Sequence, residues 1–292
     1  MNKYGIFYAY WTKNWEVDLS KLIQFVSKAD KLGFDILEIH ADPVKNLPKS
    51  ERKELRRKAE EKSIDLTFCT GLTKDKDISS EKESVRKRGI KYLKDTIEMV
   101  HEMNSDTLSG LIHGAWNISV NVSKVDKESY LDRSVESMRE VIGTAEDLDV
   151  LCNVEVVNRF EQFILNTGEE ALDYQQRVAS PNLNIHLDTY HMNIEEDDIR
   201  ETIVNVGDKL GHLHIGENNR KLPGQGGHIP WDDVARSLKE IDYDRYIVME
   251  SFLIPGGNIA NDVKLSRDLR EGKDLDEEAK KALDFVKEKF ES

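Results

Sequence analysis

The 292-residue sequence predicts a closed (β/α)8 barrel. Eight short apolar or β-branched runs alternate with eight segments of helical periodicity. No composition shift or linker divides the chain, so residues 1–292 are expected to form one domain, of a length typical for such barrels. A doubly wound sheet would carry G-x-G-x-x-G after its first strand, and the corresponding segment is Tyr8-Ala9-Tyr10-Trp11.

Residues 5–10, aromatic and small, form the first expected strand. In 16–32 the residues Val17, Leu22, Phe25, Val26, Ala29 and Leu32 recur at helical spacing, and Gly33 stops the helix. Residues 35–39 give strand two, Pro48 opens a charged helix through 62, and 64–69 give strand three. A polar loop, 70–80, precedes a long helix over 81–103. Strand four spans 107–112, and an irregular loop over 113–126 carries Trp116. A helix over 129–148 leads to strand five, 151–157. Residues 168–178 are helical, with Pro181 as a break, and 183–187 form strand six. The helix over 195–206 starts with acids, which suit the positive end of its dipole. Strand seven covers 210–215, a glycine-rich loop 223–230, a helix 231–241, strand eight 246–249 and the last helix 276–290. Gly224-Gln225-Gly226-Gly227 lacks the Lys-Ser/Thr of a phosphate loop and is expected to be a mobile loop.

The net charge of −14 argues against a nucleic-acid partner, which requires clustered Lys and Arg. Cys69 and Cys152 each sit in an apolar run and are expected to be buried small hydrophobes, with no disulfide framework. No signal-peptide core or membrane-length apolar stretch is present, so the default expectation is a soluble cytoplasmic protein without a membrane partner.

The apolar run from Val150 to Val157 is interrupted by one carboxylate, Glu155. A charge in a buried strand is costly unless paired or bound to a metal. Three later runs also end in a possible ligand: Asp188, His214 and Glu250, at separations of 33, 26 and 36 residues. Each separation is about one βα unit, so four consecutive strand ends would aim four ligands at the barrel rim where active sites form. Three carboxylates and one imidazole favour Mn2+, Mg2+ or Co2+ with open positions over a closed structural zinc. Any one of these acids alone is more often a helix cap or a salt-bridge partner. Glu161, His191 and Arg220 follow at short offsets, in loops above the ligand positions.

The segments Glu155-Val156-Val157-Asn158-Arg159-Phe160-Glu161, Leu187-Asp188-Thr189-Tyr190-His191-Met192-Asn193, Gly211-His212-Leu213-His214-Ile215-Gly216-Glu217-Asn218-Asn219-Arg220 and Val248-Met249-Glu250-Ser251-Phe252 resemble motifs of the D-allulose (D-psicose) and D-tagatose 3-epimerases. These are ketose 3-epimerases of the xylose-isomerase-like TIM barrel group. The resemblance implies that Glu155, Asp188, His214 and Glu250 hold the metal and that Glu155 and Glu250 are the acid/base pair. It implies that Glu161, His191 and Arg220 bind the ketose around O1 and O2. A dimer or tetramer and no organic cofactor are also implied. The chemistry is coherent without the family. The C3 proton of a ketose is acidic because C2 is a carbonyl, and a cation at O2 and O3 stabilises the enediolate. Inversion needs one base on each face.

This sequence departs from the family at Phe7, at Cys69-Thr70-Gly71-Leu72, at His113 to Asn117, at Ser251, and in a longer glycine loop around His228. Those departures leave the chemical core intact and put sugar preference in question. Trp116 either stacks on the far end of the sugar or packs its own loop; Phe7, Gly71, Trp15 and Phe252 are further pocket candidates. His212 shares a strand face with His214 and is expected just behind the ligands. Glu217 and Asn219 are expected to orient Arg220 or the ligands, and His40, His101 and His186 to be structural or surface residues. Competing functions are an aldose–ketose isomerase, which typically needs a second metal, and a non-catalytic sugar-binding protein, which needs no base on each face.

Overall fold

The structure is a computed structural model that describes residues 2–118, 120–121 and 123–292. Ser119 and Val122, within the expected 113–126 loop, lie outside the described residues. Eight parallel strands close in chain order, with β1 pairing both β2 and β8. They are β1 (Lys3–Phe7), β2 (Ile36–His40), β3 (Asp65–Leu72), β4 (Thr107–Ala115), β5 (Leu151–Glu155), β6 (Leu183–Asp188), β7 (Leu210–Ile215) and β8 (Tyr246–Met249). The helices around them are α1 (Leu19–Leu32), α2 (Ala41–Lys45), α3 (Lys49–Glu60), α4 (Glu83–Glu102), α5 (Lys127–Asp147), α6 (Gly168–Val178), α7 (Thr189–Glu195), α8 (Ile199–Val206), α9 (Trp231–Glu240), α10 (Gly257–Asp262) and α11 (Leu275–Glu291).

Local chemistry sets the helix ends. Asp18 accepts from the Lys21 N–H and starts α1, which begins later than the apolar pattern suggests. Gly33, at φ 87°, closes α1 in the left-handed conformation that glycine adopts without strain. The helix buries Leu22, Phe25, Val26, Ala29 and Leu32, and the Phe25 ring stacks on Trp11 at 5.7 Å. Asp274 caps α11 by accepting from the Asp276 and Glu277 N–H groups. Cys69 and Cys152 are buried and unpaired, as expected.

Strand boundaries differ from the pattern where side chains find partners elsewhere. The chain leaves β1 after Phe7, and Tyr8–Trp11 winds a 3-10 turn. That turn is fixed by Tyr10 Oη donating to the Leu275 carbonyl at 2.8 Å and Trp11 Nε1 donating to Asp276 at 2.8 Å. β4 runs past residue 112 to Ala115, because Leu72 pairs with Ala115 and the Trp116 N–H donates to the Leu72 carbonyl. β5 ends at Glu155. The expected 195–206 helix begins at Ile199: Asp188 caps a separate α7, and Asp198 caps α8. The short helices α2 and α10 were not expected. Among the described residues, no helix is long and apolar enough to cross a membrane.

Candidate active site

The C-terminal rim gathers the four expected ligands. Glu155 and Asp188 end β5 and β6, His214 lies in β7, and Glu250 follows β8. The sheet register sets Asp188 beside His214, and the Glu250 N–H donates to the Ile215 carbonyl at 3.0 Å. Asp188, His214 and Glu250 each present one ligand atom within 4.8 Å of the others. Glu155 forms an overlapping group of the same span with Asp188 and His191. His214 Nδ1, 3.6 Å from Glu250 Oε1, is buried with no hydrogen-bond partner among the described residues. An orphaned imidazole nitrogen facing carboxylates is the donor set that a hard divalent cation fits. Glu155, His214 and Glu250, with Glu161, His191, Arg220, Trp116, Phe7 and Gly71, line one pocket of about 540 Å³ that is partly open to solvent. Asp188 lies fully buried beneath it.

The loops above bring in the polar residues. His191 Nδ1 accepts from the Asn158 N–H at 3.1 Å, so the neutral ring carries its proton on Nε2. That nitrogen points toward Glu155 at 3.8 Å and Asp188 at 3.7 Å. Arg220, held at φ 67° in a tight turn, stacks its guanidinium 3.6 Å from the Tyr190 ring centre. It reaches Glu250 at 2.9 Å, Glu161 at 3.3 Å and Asp188 at 3.5 Å. Trp116 Nε1 donates to Glu161 at 2.7 Å. The pocket edge depends on Gly110, at φ 113°: a Cβ there would sit 2.3 Å from the Thr70 carbonyl oxygen.

One residue missed in the sequence completes the site from inside the barrel. Glu38, fully buried on β2, meets His214 Nε2 at 2.5 Å and His212 Nε2 at 2.9 Å and accepts from Thr67 Oγ1 at 3.0 Å. With Nε2 on Glu38, His214 is left with Nδ1 for the pocket, the arrangement by which a carboxylate orients a metal-binding histidine. A signal was available: Glu38 interrupts the apolar run Ile36 to Ile39 as Glu155 interrupts its own.

The electrostatics follow from burial and like charge. Burial, then the Glu250 carboxylate, pushes Glu155 well above the ordinary carboxylate range. Burial also raises Asp188 and Glu250, against the pull of Arg220 and His214. Burial works against Glu161 too, but His191 and Arg220 outweigh it and hold that acid low. His191 is pushed down to about 4 by burial and stays neutral. Burial opposes charging of His214, yet Glu38 and Glu250 raise it to about 10. Three crowded carboxyl groups around one Arg220 concentrate negative charge that a divalent cation would offset.

A model of the family described as xylose isomerase-like TIM barrel matches residues 26–289. The chain belongs to that family. It is 40% identical to a D-psicose 3-epimerase of Ruminiclostridium cellulolyticum, over 97% of this chain and 96% of that protein. It is 30% identical to an L-ribulose 3-epimerase of Methylomonas sp., over 99% and 98% of the two chains. A solved structure of D-psicose 3-epimerase with D-tagatose from Clostridium cellulolyticum H10 superposes with a TM-score of 0.94, at 39% identity and 99% coverage of both chains. This xylose isomerase-like barrel is thus an enzyme of the epimerase class.

Within this family barrel, some expected supporting roles change. Glu217 does not orient Arg220 through its carboxylate; it accepts from the Gly224 N–H at 2.8 Å and Trp231 Nε1 at 2.9 Å and so fastens the glycine-rich loop. Asn219 accepts from the Lys221 N–H and braces the turn. His212 lies behind His214, as expected. His101 is an exposed residue on the Leu148 carbonyl, whereas His40 lines the pocket and His186 is buried 4.0 Å from Glu155. Of the acids at 195–196, expected at a helix start, Glu195 binds Arg159 and Glu196 accepts from the Gly168 N–H.

Proposed function

We propose that the chain is a metal-dependent ketose 3-epimerase acting on free ketohexoses, interconverting D-fructose with D-allulose and D-tagatose with D-sorbose. The observation that carries this reading is that Glu155 and Glu250 face one pocket from β5 and β8, with β6 and β7 between them around the rim. Glu155, Asp188, His214 and Glu250 would hold a divalent ion, with Mn2+ or Co2+ favoured and Mg2+ compatible with the oxygen-rich donor set. When bound, the ion supplies positive charge for the oxygens of the reacting carbonyl and hydroxyl.

The chain's own residues account for the proton movements. One glutamate takes the C3 proton from one face, and the other returns a proton to the opposite face; their roles exchange in reverse. In the ion-free chain burial raises the proton affinity of both carboxyl groups, with Glu250 adding to the rise of Glu155 and Asp188 to that of Glu250, and a bound cation would draw both back toward the carboxylate form. His191 Nε2 and the Arg220 guanidinium donate toward O1 and O2, and Glu161 holds Arg220 while accepting from Trp116. Phe7, Trp15 and Phe252 shield the sugar from water on the apolar side. The expected dimer or tetramer accompanies this reading and is checked by sedimentation.

Proton NMR of D-fructose, D-allulose and D-tagatose in D2O with the Mn2+-loaded protein tests the function. Loss of the C3–H signal with growth of the C3 epimer is the expected result, and aldose formation would instead assign an isomerase. The Glu155→Gln variant should lose at least about 100-fold in rate, and turnover at the wild-type rate would rule out the two-glutamate mechanism.

A further inference from the structure

His40 ends β2, and its side chain shares the inward face with Glu38, two residues earlier. Glu38 braces His214 inside the barrel. His40 therefore stands about 7 Å further along the strand toward the mouth and lines the pocket. The wall formed by β1 to β4 lies across the barrel from the strands that carry the acids. On the ketose-epimerase reading, with C3 between Glu155 and Glu250 and the carbonyl end at His191 and Arg220, the C4 to C6 end of a ketohexose would extend to that wall.

The wall is poor in free donors. Trp15 Nε1 is committed to Asp262 at 2.7 Å and Trp116 Nε1 to Glu161 at 2.7 Å. Burial keeps the Cys69 thiol protonated, which leaves only a weak S–H donor. His40 is different. Its Nδ1 accepts from the Asp42 N–H at 3.3 Å, which leaves the proton of the neutral ring on Nε2. Asp42 is fixed from behind, accepting from Tyr92 Oη at 2.7 Å, and Tyr92 Oη in turn meets Thr70 Oγ1 at 2.7 Å. The ring packs 5.7 Å from Trp15. Burial pushes the imidazole toward its neutral form. Among the described residues Nε2 has no hydrogen-bond partner, so a residue of the pocket wall keeps a fixed N–H with nothing to donate to.

We propose that His40 donates from Nε2 to the terminal hydroxyl, O6, of a bound ketohexose and sets the enzyme's preference for that hydroxyl. The proposal rests on the ketose-epimerase reading above. A site built around a donor rejects the analogue that lacks the acceptor, because the donor is then left unpaired. The test compares D-fructose with 6-deoxy-D-fructose, using the metal-loaded protein and its His40→Phe and His40→Asn variants. Wild type should favour D-fructose by about tenfold in kcat/KM. His40→Phe should bring that ratio close to one by lowering the D-fructose value alone. His40→Asn, which can cap α2 and still present an amide N–H, should keep part of the preference. A wild-type ratio near one, or a His40→Phe variant that slows both sugars equally, overturns the assignment. If neither sugar is epimerised, the function proposed above fails, and calorimetric binding of the same two sugars decides the subsite on its own. Weaker binding of the deoxy sugar, equalised by His40→Phe, then upholds it, and equal binding by wild type overturns it.

Discussion

Replacing Glu38 by Gln tests whether the carboxylate inside the barrel orients His214, the histidine proposed to bind metal. The change keeps the side-chain volume and removes the charge. Glu38 now hydrogen-bonds His214 Nε2 at 2.5 Å and Thr67 Oγ1 at 3.0 Å, while His212 Nε2 lies 2.9 Å away outside hydrogen-bond geometry. A glutamine offers one oxygen and an NH2 group, so the turn that puts its amide on His214 sets donor against donor. If the amide faces His214, relief comes by moving the imidazole proton from Nε2 to Nδ1, the nitrogen 3.6 Å from Glu250. A protonated Nδ1 cannot ligate. Loss of such outer partners typically costs 10- to 100-fold in metal affinity, or about 1.4–2.8 kcal/mol. We expect that fall for Mn2+ in calorimetric titration of the metal-free protein, with turnover largely recovered at saturating metal. Unchanged affinity would refute the assignment of Glu38 as the group that orients His214.

Two further outcomes are expected. Removing metal with EDTA should destabilise the protein, by about 2.7 kcal/mol relative to metal held at 100 times its Kd; for a chain of 292 residues that is a fall of roughly 4 °C in Tm by calorimetry. An unchanged Tm would argue that the four rim residues hold no ion. Phe25→Ala removes a ring that is 1% exposed and stacked on Trp11, and should cost about 3–5 kcal/mol in urea unfolding. A loss below about 1 kcal/mol would mean that α1 is not seated as described.

The parts of the site legible in the sequence were those with a conspicuous local cost. A carboxylate or imidazole closing an apolar run stands out at Glu155, Asp188, His214 and Glu250, and the spacing of βα units then places all four on one rim. Glu38 and His40 obey the same rule within Ile36-Leu37-Glu38-Ile39-His40, yet Glu38 meets a residue of β7, far away along the chain, and His40 lines a pocket built from many separate segments. Only the closed barrel shows that their faces meet the site. Strand ends were hard to place for a related reason. The extension of β4 to Ala115 is decided by Leu72 across the sheet, and the turn after β1 by Asp276 and Leu275 near the C-terminus. Helix starts were misplaced where a cap outweighed periodicity, as at Asp18 and Asp198.

The Glu38–His214 contact joins residues 176 positions apart and bridges the two halves of the chain. All four proposed rim ligands belong to the second half, from β5 to β8, so a half-barrel would contain the whole proposed donor set. It would still leave His214 Nε2 without its acceptor. On the proposed metal reading, tight uptake would wait for the slow, long-range closure of β1 and β2 onto the rest. Metal affinity measured during refolding would report completion of the ring, and a nascent chain would be protected from loading its ion before the pocket exists.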